Sequence, residues 1–224
     1  MIDMERKNCV LIIAGPSGAG KTVIATHIVN EHPEFTFLRS ATTRAKRGDA
    51  HDDEYIYYTE EEFIRAAKNG EMAEHMVYGG NMYGTPNSEL DRAFSEGKTP
   101  LLVLDLNGVR SLGLHPKYSA CSVYVYASLE VIEDRLRDRY FGANEKPNSK
   151  ELFDIRCKQN LDDWAGMSEY EEYIHAFIEN TSTVEECADV ILSTFIDYTD
   201  GEEKDSWRNH AIVNGLVSSA DEKL

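Results

Sequence analysis

Gly15 to Thr22 read GPSGAGKT, a full match to GxxxxGK[ST]. Each residue type in that run has a task on a polyphosphate. Gly15, Gly18 and Gly20 let the backbone turn its amides inward, and Pro16, Ser17 and Ala19 complete the loop. A helix starting near Lys21 adds the positive end of its dipole. Lys21 then reaches the outer phosphates and the Thr22 hydroxyl ligates Mg2+. The loop predicts binding of ATP or GTP. A second cationic group follows in Ser40-Ala41-Thr42-Thr43-Arg44-Ala45-Lys46-Arg47, where Arg44 and Arg47 flank Lys46. Forked guanidinium donors suit a phosphate dianion, and such a cluster is conspicuous in an acidic chain.

These residues need elements to hold them, and the hydrophobic pattern supplies an α/β set. Cys9 to Ala14 is a continuous apolar run, expected of a central strand buried on both faces, and it leads straight into the glycine-rich loop. A helix is expected from Lys21 to about Glu31. Further core strands are expected near Phe35–Arg39, Pro100–Leu106, Ser122–Tyr126 and Ala176–Ile178. Helices are expected at Leu129–Arg139, Lys150–Ala165 and Val184–Phe195. This alternation is that of a parallel sheet flanked by helices.

The stretch from about 42 to 97 breaks the alternation. It carries strands near Tyr55–Tyr58 and Glu71–Tyr78, the turn residues Gly79, Gly80 and Asn81, and helices after Thr59 and from about Asn87 to Glu96. Thr59 with Glu62 is a capping-box signature. The stretch reads as a small mixed α/β subdomain inserted between core strands. The irregular segment Tyr140–Ser149 sits between two helices, as a lid would. The division expected is a main domain over 1–196, with the insert at about 42–97 and the lid at about 139–156, followed by an acidic extension over 197–224. In that extension Trp207 and Leu216 are the residues expected to dock a helix.

Composition narrows the function classes. In 224 residues, 40 Asp and Glu against 23 Lys and Arg give a net charge of −17, which argues against a general nucleic-acid binder or an anionic-membrane binder. Four scattered cysteines without a CxxC pair argue against a disulfide or zinc scaffold. The apolar N-terminal run is too short for a signal core or membrane span, so a cytoplasmic protein is expected, monomer or homodimer.

In order, the motifs are GPSGAGKT, S-x-T-T-R-x-x-R, a Tyr after a short acidic turn, E-x8-Y-G-T, and a strand ending in Asp followed by x-x-G-V. Over about Cys9 to Ile196 this series resembles guanylate kinase, a P-loop nucleoside monophosphate kinase family. The resemblance implies a Mg2+-dependent transfer of the γ-phosphate of ATP to GMP, and to dGMP. It implies that Arg44, Arg47, Tyr55 and Tyr83 hold the GMP phosphate, and that Glu74 accepts from guanine N1–H and the 2-amino group while Ser40 and Thr85 complete the base pocket. Asp105 would lie between the two nucleotide sites, Arg135, Arg139 and Arg156 would close on the ATP phosphates, and Asn180 would lie near the adenine.

Bland roles stand beside these. Asp105 has the position of a cap for a following turn, and Arg135 and Arg139 have Glu133, Asp134 and Asp138 as surface partners. The chain also departs from the family. The turn between Gly48 and Glu54 is one residue short, Arg139 to Arg156 is long at seventeen residues, and His75 follows Glu74. Val103 stands where a second acidic residue is usual, leaving Asp105 as the expected metal-side carboxylate. Competing readings are a same-fold kinase of another phosphorylated acceptor, such as a ribose bisphosphate kinase, and a non-catalytic interaction domain. The intact phosphate loop weighs against the second. A GTPase switch lacks its N-K-x-D motif here.

Overall fold

A computed structural model describes residues 8–46, 55–78, 80–142, 147–201 and 206–223. Five strands form a parallel core sheet in the order β2 (Phe35–Phe37), β7 (Thr99–Val103), β1 (Cys9–Ala14), β8 (Ser119–Tyr126) and β9 (Ala176–Glu179). Every residue of β1 is buried, as a strand covered on both faces must be. Its side chains alternate between two layers. Leu11 and Ile13 pack with Ile24 and Ile28 of α1 (Lys21–Glu31) and Ile191 of α7 (Val184–Asp200). Val10 and Ile12 face the larger layer, with Val109 of α4 (Leu106–Gly113), Ile132 of α5 (Leu129–Phe141) and Trp164 of α6 (Ser149–Ala165).

A second sheet is built between β2 and β7 in the chain, with strand order β4 (Tyr55–Tyr57), β3 (Ser40–Thr42), β6 (Asn81–Pro86) and β5 (Met72–Tyr78). The antiparallel β5–β6 pair slips register between Met72 and Glu74. That irregularity falls beside the carboxylate of interest, where bulges commonly re-aim a side chain. Two helices complete the insert, α2 (Glu60–Lys68) and α3 (Asn87–Ser95). The expected capping box is formed at α2: the Glu62 amide donates to Thr59 Oγ1 at 3.2 Å, and the Thr59 amide donates to Glu62 Oε2 at 2.8 Å. Phe63 and Ala66 of α2 then bury against Ala41 and Met72.

Several of the remaining expectations change. The run read as one strand, Phe35–Arg39, ends at Phe37, and the next strand at Ser40 already belongs to the second sheet. The strand expected at Pro100–Leu106 ends at Val103, and Leu106 opens helix α4, which Asp105 caps. Beyond α7 lies α8 (Ser206–Asp221), whose Val213, Leu216 and Ala220 bury in the layer that holds Trp164. Asn209 Nδ2 ties α8 to the carbonyls of Ile174 and His175 at 3.4 and 3.0 Å. Leu216 docks as expected, but Trp207 is 85% exposed and does not dock among the described residues. The expected lid, 139–156, takes in the end of α5 and the start of α6, with 143–146 outside the described residues. Among the described residues no helix is long and apolar enough to cross a membrane.

Candidate active site

The phosphate loop turns at the C-terminal end of β1, where open parallel sheets place their ligand crevices. Two of its glycines have no substitute. At Gly15 (φ +146°) a Cβ would lie 2.0 Å from the Val125 carbonyl oxygen, and at Gly20 (φ +93°) it would lie 2.6 Å from the Asn180 amide nitrogen. Lys21 folds back over the loop and donates to the carbonyls of Gly15 and Pro16 at 2.7 and 2.8 Å. Its burial lowers the ammonium pKa to about 8; the Asp163 carboxylate opposes that shift, and the Arg156 and Arg139 cations reinforce it.

From this loop a cleft of about 1040 Å3 runs to the second sheet. At the loop end it is lined by Gly15, Ser17, Lys21, Thr22 and Asp105, with Arg156 and Asp163 from α6. At the far end it is lined by Ser40, Tyr55, Glu74, Tyr83 and Thr85. Of the candidate residues, eleven therefore share one cavity. Arg44 stands beside the far end, its guanidinium 5.0 Å from the Tyr55 ring centre and 3.3 Å from Tyr57 Oη, to which it donates. Tyr55 also meets Tyr83 edge-on at 6.3 Å. Arg47 lies outside the described residues.

Glu74 is the unusual group of the far end. It is buried, and Thr85 Oγ1 donates to its Oε1 at 2.6 Å. Burial raises its carboxyl to about 7; the Thr85 bond resists the rise and the charge of Asp105 adds to it. A half-neutral carboxyl in a dry pocket wants donors, and two adjacent N–H groups of a base edge would supply them. The other candidates hold the loop rather than line the cleft. Asn180 Nδ2 donates to the Ala19 carbonyl at 2.7 Å, and Arg135 donates to the carbonyls of Gly18 and Asn180 at 3.4 and 3.2 Å. Pro16, Gly18, Ala19 and Gly20 form the body of the loop, and Arg139 is exposed on α5.

Asp105 combines the two roles read for it, since its Oδ1 accepts from the Gly108 amide at 2.8 Å while the residue lines the cleft. It does not stand alone as the acidic group there. Asp163 opens onto the same cleft, and its carboxyl is pushed up to about 6 by desolvation and by the like charge of Asp105, with Lys21 opposing. Sequence reasoning missed Asp163 and Asn160. Their signal was helical spacing from Arg156, because positions 156, 160 and 163 share one face of α6.

A parallel sheet with a phosphate loop after its central strand, faced across a cleft by an inserted sheet, defines a P-loop α/β protein with two compartments. Comparison with known proteins is more specific. The Guanylate kinase family model matches residues 7–190, and the chain belongs to that family. It is 32% identical over 173 residues to the guanylate kinase of Cereibacter sphaeroides, covering 75% of this chain and 78% of the relative. It is 29% identical to that of Chlamydia felis, covering 86% of this chain and 91% of the relative. The fold is shared with the crystal structure of guanylate kinase from Anaplasma phagocytophilum, at a TM-score of 0.54 and 23% identity over 87% of each chain.

Proposed function

We propose that this protein transfers the γ-phosphoryl group of ATP to GMP, giving ADP and GDP, and that it accepts dGMP through the same base contacts. One observation carries the proposal. A phosphate loop and a buried, donor-seeking carboxylate, Glu74, open into a single cleft from opposite ends. ATP takes the loop end, its phosphates between the loop amides, Lys21 and Arg156. GMP takes the far end, with guanine on Glu74, Thr85 and Ser40, and its phosphate held by Arg44, Tyr55, Tyr83 and Arg47.

The acceptor is already an ionised phosphate, so no covalent enzyme intermediate is required. An acceptor oxygen attacks the γ-phosphorus in line, and the bond to the β–γ bridging oxygen breaks, leaving its electron pair on ADP. The chain contributes alignment and compensating positive charge. Lys21 and Arg156 border the transferred group, Arg44 holds the attacking phosphate in place, and Arg135 and Asn180 fix the loop from behind. The oxygen donors at the loop end, the Thr22 hydroxyl and the carboxylates of Asp105 and Asp163, suit a hard divalent cation such as Mg2+. When bound with ATP, that ion would neutralise phosphate charge.

The test is ADP formation from ATP and Mg2+ with GMP, dGMP, AMP, CMP and UMP offered separately, alongside Glu74→Ala. Turnover confined to GMP and dGMP, and largely lost in the variant, is the expected result. ATP binding with no turnover on any of the five would overturn it and point to a sugar phosphate acceptor or a binding role.

A further inference from the structure

The tip of the phosphate loop is bonded to a helix that the loop motif does not include. The Ser17 amide donates to Asn160 Oδ1 at 2.8 Å, and Asn160 Nδ2 donates back to the Ser17 carbonyl at 2.9 Å. A side-chain amide thus closes a two-bond ring with the backbone N–H and C=O of one residue, which fixes both distance and orientation. Asn160 is buried, on a helix whose neighbouring positions are mostly open to solvent. One turn before it on the same face is Arg156, one turn after it is Asp163, and all three line the cleft with Lys21. The next two carbonyls are held from other elements, Gly18 by Arg135 and Ala19 by Asn180. With the Ser17 amide spent on Asn160 and the Ala19 amide on the Pro16 carbonyl, holding these carbonyls on the protein side leaves the remaining amides of the loop for an anion.

We infer that Asn160 is a positioning residue for the donor nucleotide, setting the loop tip and the Arg156 guanidinium at one fixed spacing around the ATP phosphates. This rests on the reading of the loop end as the ATP site.

The experiment compares wild type with Asn160→Leu, of similar volume without hydrogen bonds, and Asn160→Gln, with the same amide on a longer stem. Three quantities are read: direct ATP affinity by displacement of a fluorescent ATP analogue, the separate KM values for ATP and GMP, and Tm. Loss of two hydrogen bonds predicts ATP affinity weakened about tenfold in the Leu variant, partly restored in the Gln variant, with KM for GMP within about twofold of wild type. Asn209→Ala, which removes a buried amide from α8, controls for stability and should lower Tm with ATP affinity unchanged. Should Asn160→Leu not fold, the Gln variant must still show weaker ATP binding at unchanged KM for GMP. ATP affinity equal to wild type in the variants would overturn the inference, as would an equal loss for both nucleotides matched by Asn209→Ala. A wild-type protein whose ATP binding depends on Asn160 but which leaves GMP untouched would sink the proposed reaction and leave this inference standing.

Discussion

Glu89 grips Arg39 three ways: its Oε2 accepts from the Arg39 backbone amide and from Nε, each at 3.3 Å, and its Oε1 accepts from Nη2 at 2.7 Å. Arg39 lies where the chain leaves β2 for the second sheet, and Glu89 lies on α3, where the chain returns. The bond therefore buckles together the two crossings between core and insert. Arg92 adds a contact to Glu89 Oε2 at 2.9 Å.

Burial alone would raise the Glu89 pKa, but the hydrogen bonds from Arg39 and Arg92 hold it down to about 2. A depressed acid stabilises the fold above its unfolded value and loses that contribution as pH falls toward the folded one. Glu89→Gln is thus expected to lower stability by about 2 kcal/mol at pH 7, with the difference from wild type shrinking below about pH 4. Urea titrations at pH 7 and pH 3 check it; an equal loss at both would mean the charge is not what matters.

Glu74 has the opposite sign. Its folded carboxyl titrates at about 7 against an ordinary 4.5, so ionising it opposes folding across that window. Glu74→Gln should be more stable than wild type by about 2 kcal/mol at pH 8 and equal to it below pH 4.5. On the proposed reading guanine binds to the ionised form, so KM for GMP should fall in wild type as pH rises through about 7 and stay flat in the variant. Tm and KM measured over pH 5.5–8.5 test both halves.

In the proposed role Lys21 must be charged to hold phosphate, yet burial lowers its pKa to about 8. The kcat/KM for ATP should therefore decline as pH rises through about 8. Lys21→Arg keeps its charge at any working pH, so its residual activity, expected to be lower by at least about 100-fold, should lack that limb. A limb at the same pH in the variant would assign it to another group.

The two apolar residues expected to dock the C-terminal segment separate cleanly. Leu216→Ala should cost about 2–4 kcal/mol, because Leu216 is buried beside Trp164 and Val213. Trp207→Ala should change stability by less than about 0.5 kcal/mol, because the ring is 85% exposed. Denaturation midpoints of the two variants decide it.

Much of this was legible in the residues. A glycine-rich loop between an apolar run and a helix is local information, and β1, α1 and Lys21 lie where the pattern puts them. The buried setting of Glu74 followed from ordered motifs rather than from its surroundings in sequence, where an acidic chain makes any one Glu look ordinary. What the sequence hid is tertiary. Strand β6, Asn81–Pro86, was obscured because glycine and proline punctuate Met82-Tyr83-Gly84-Thr85-Pro86 and mask its alternation. Helix α4 was missed because Gly108 and Gly113 dilute a short apolar pattern. Asn160 and Asp163 belong to no motif: helical spacing puts them on the face of Arg156, and the packing of α6 against the loop turns that face to the cleft.

The strand order also fixes when the site comes into being. Leu11 of β1 pairs with Leu101 on one side and Cys121 on the other, so the phosphate loop is synthesised while both neighbours of its strand are still to be made. The β5–β6 hairpin, joined between Tyr78 and Asn81, has its partner at hand at once. On the ribosome the second sheet is then able to pair before the core, and a nascent chain ending before β7 exposes an apolar strand with neither edge covered. The loop that is translated early is assembled late, a topology that favours slow folding and dependence on chaperones.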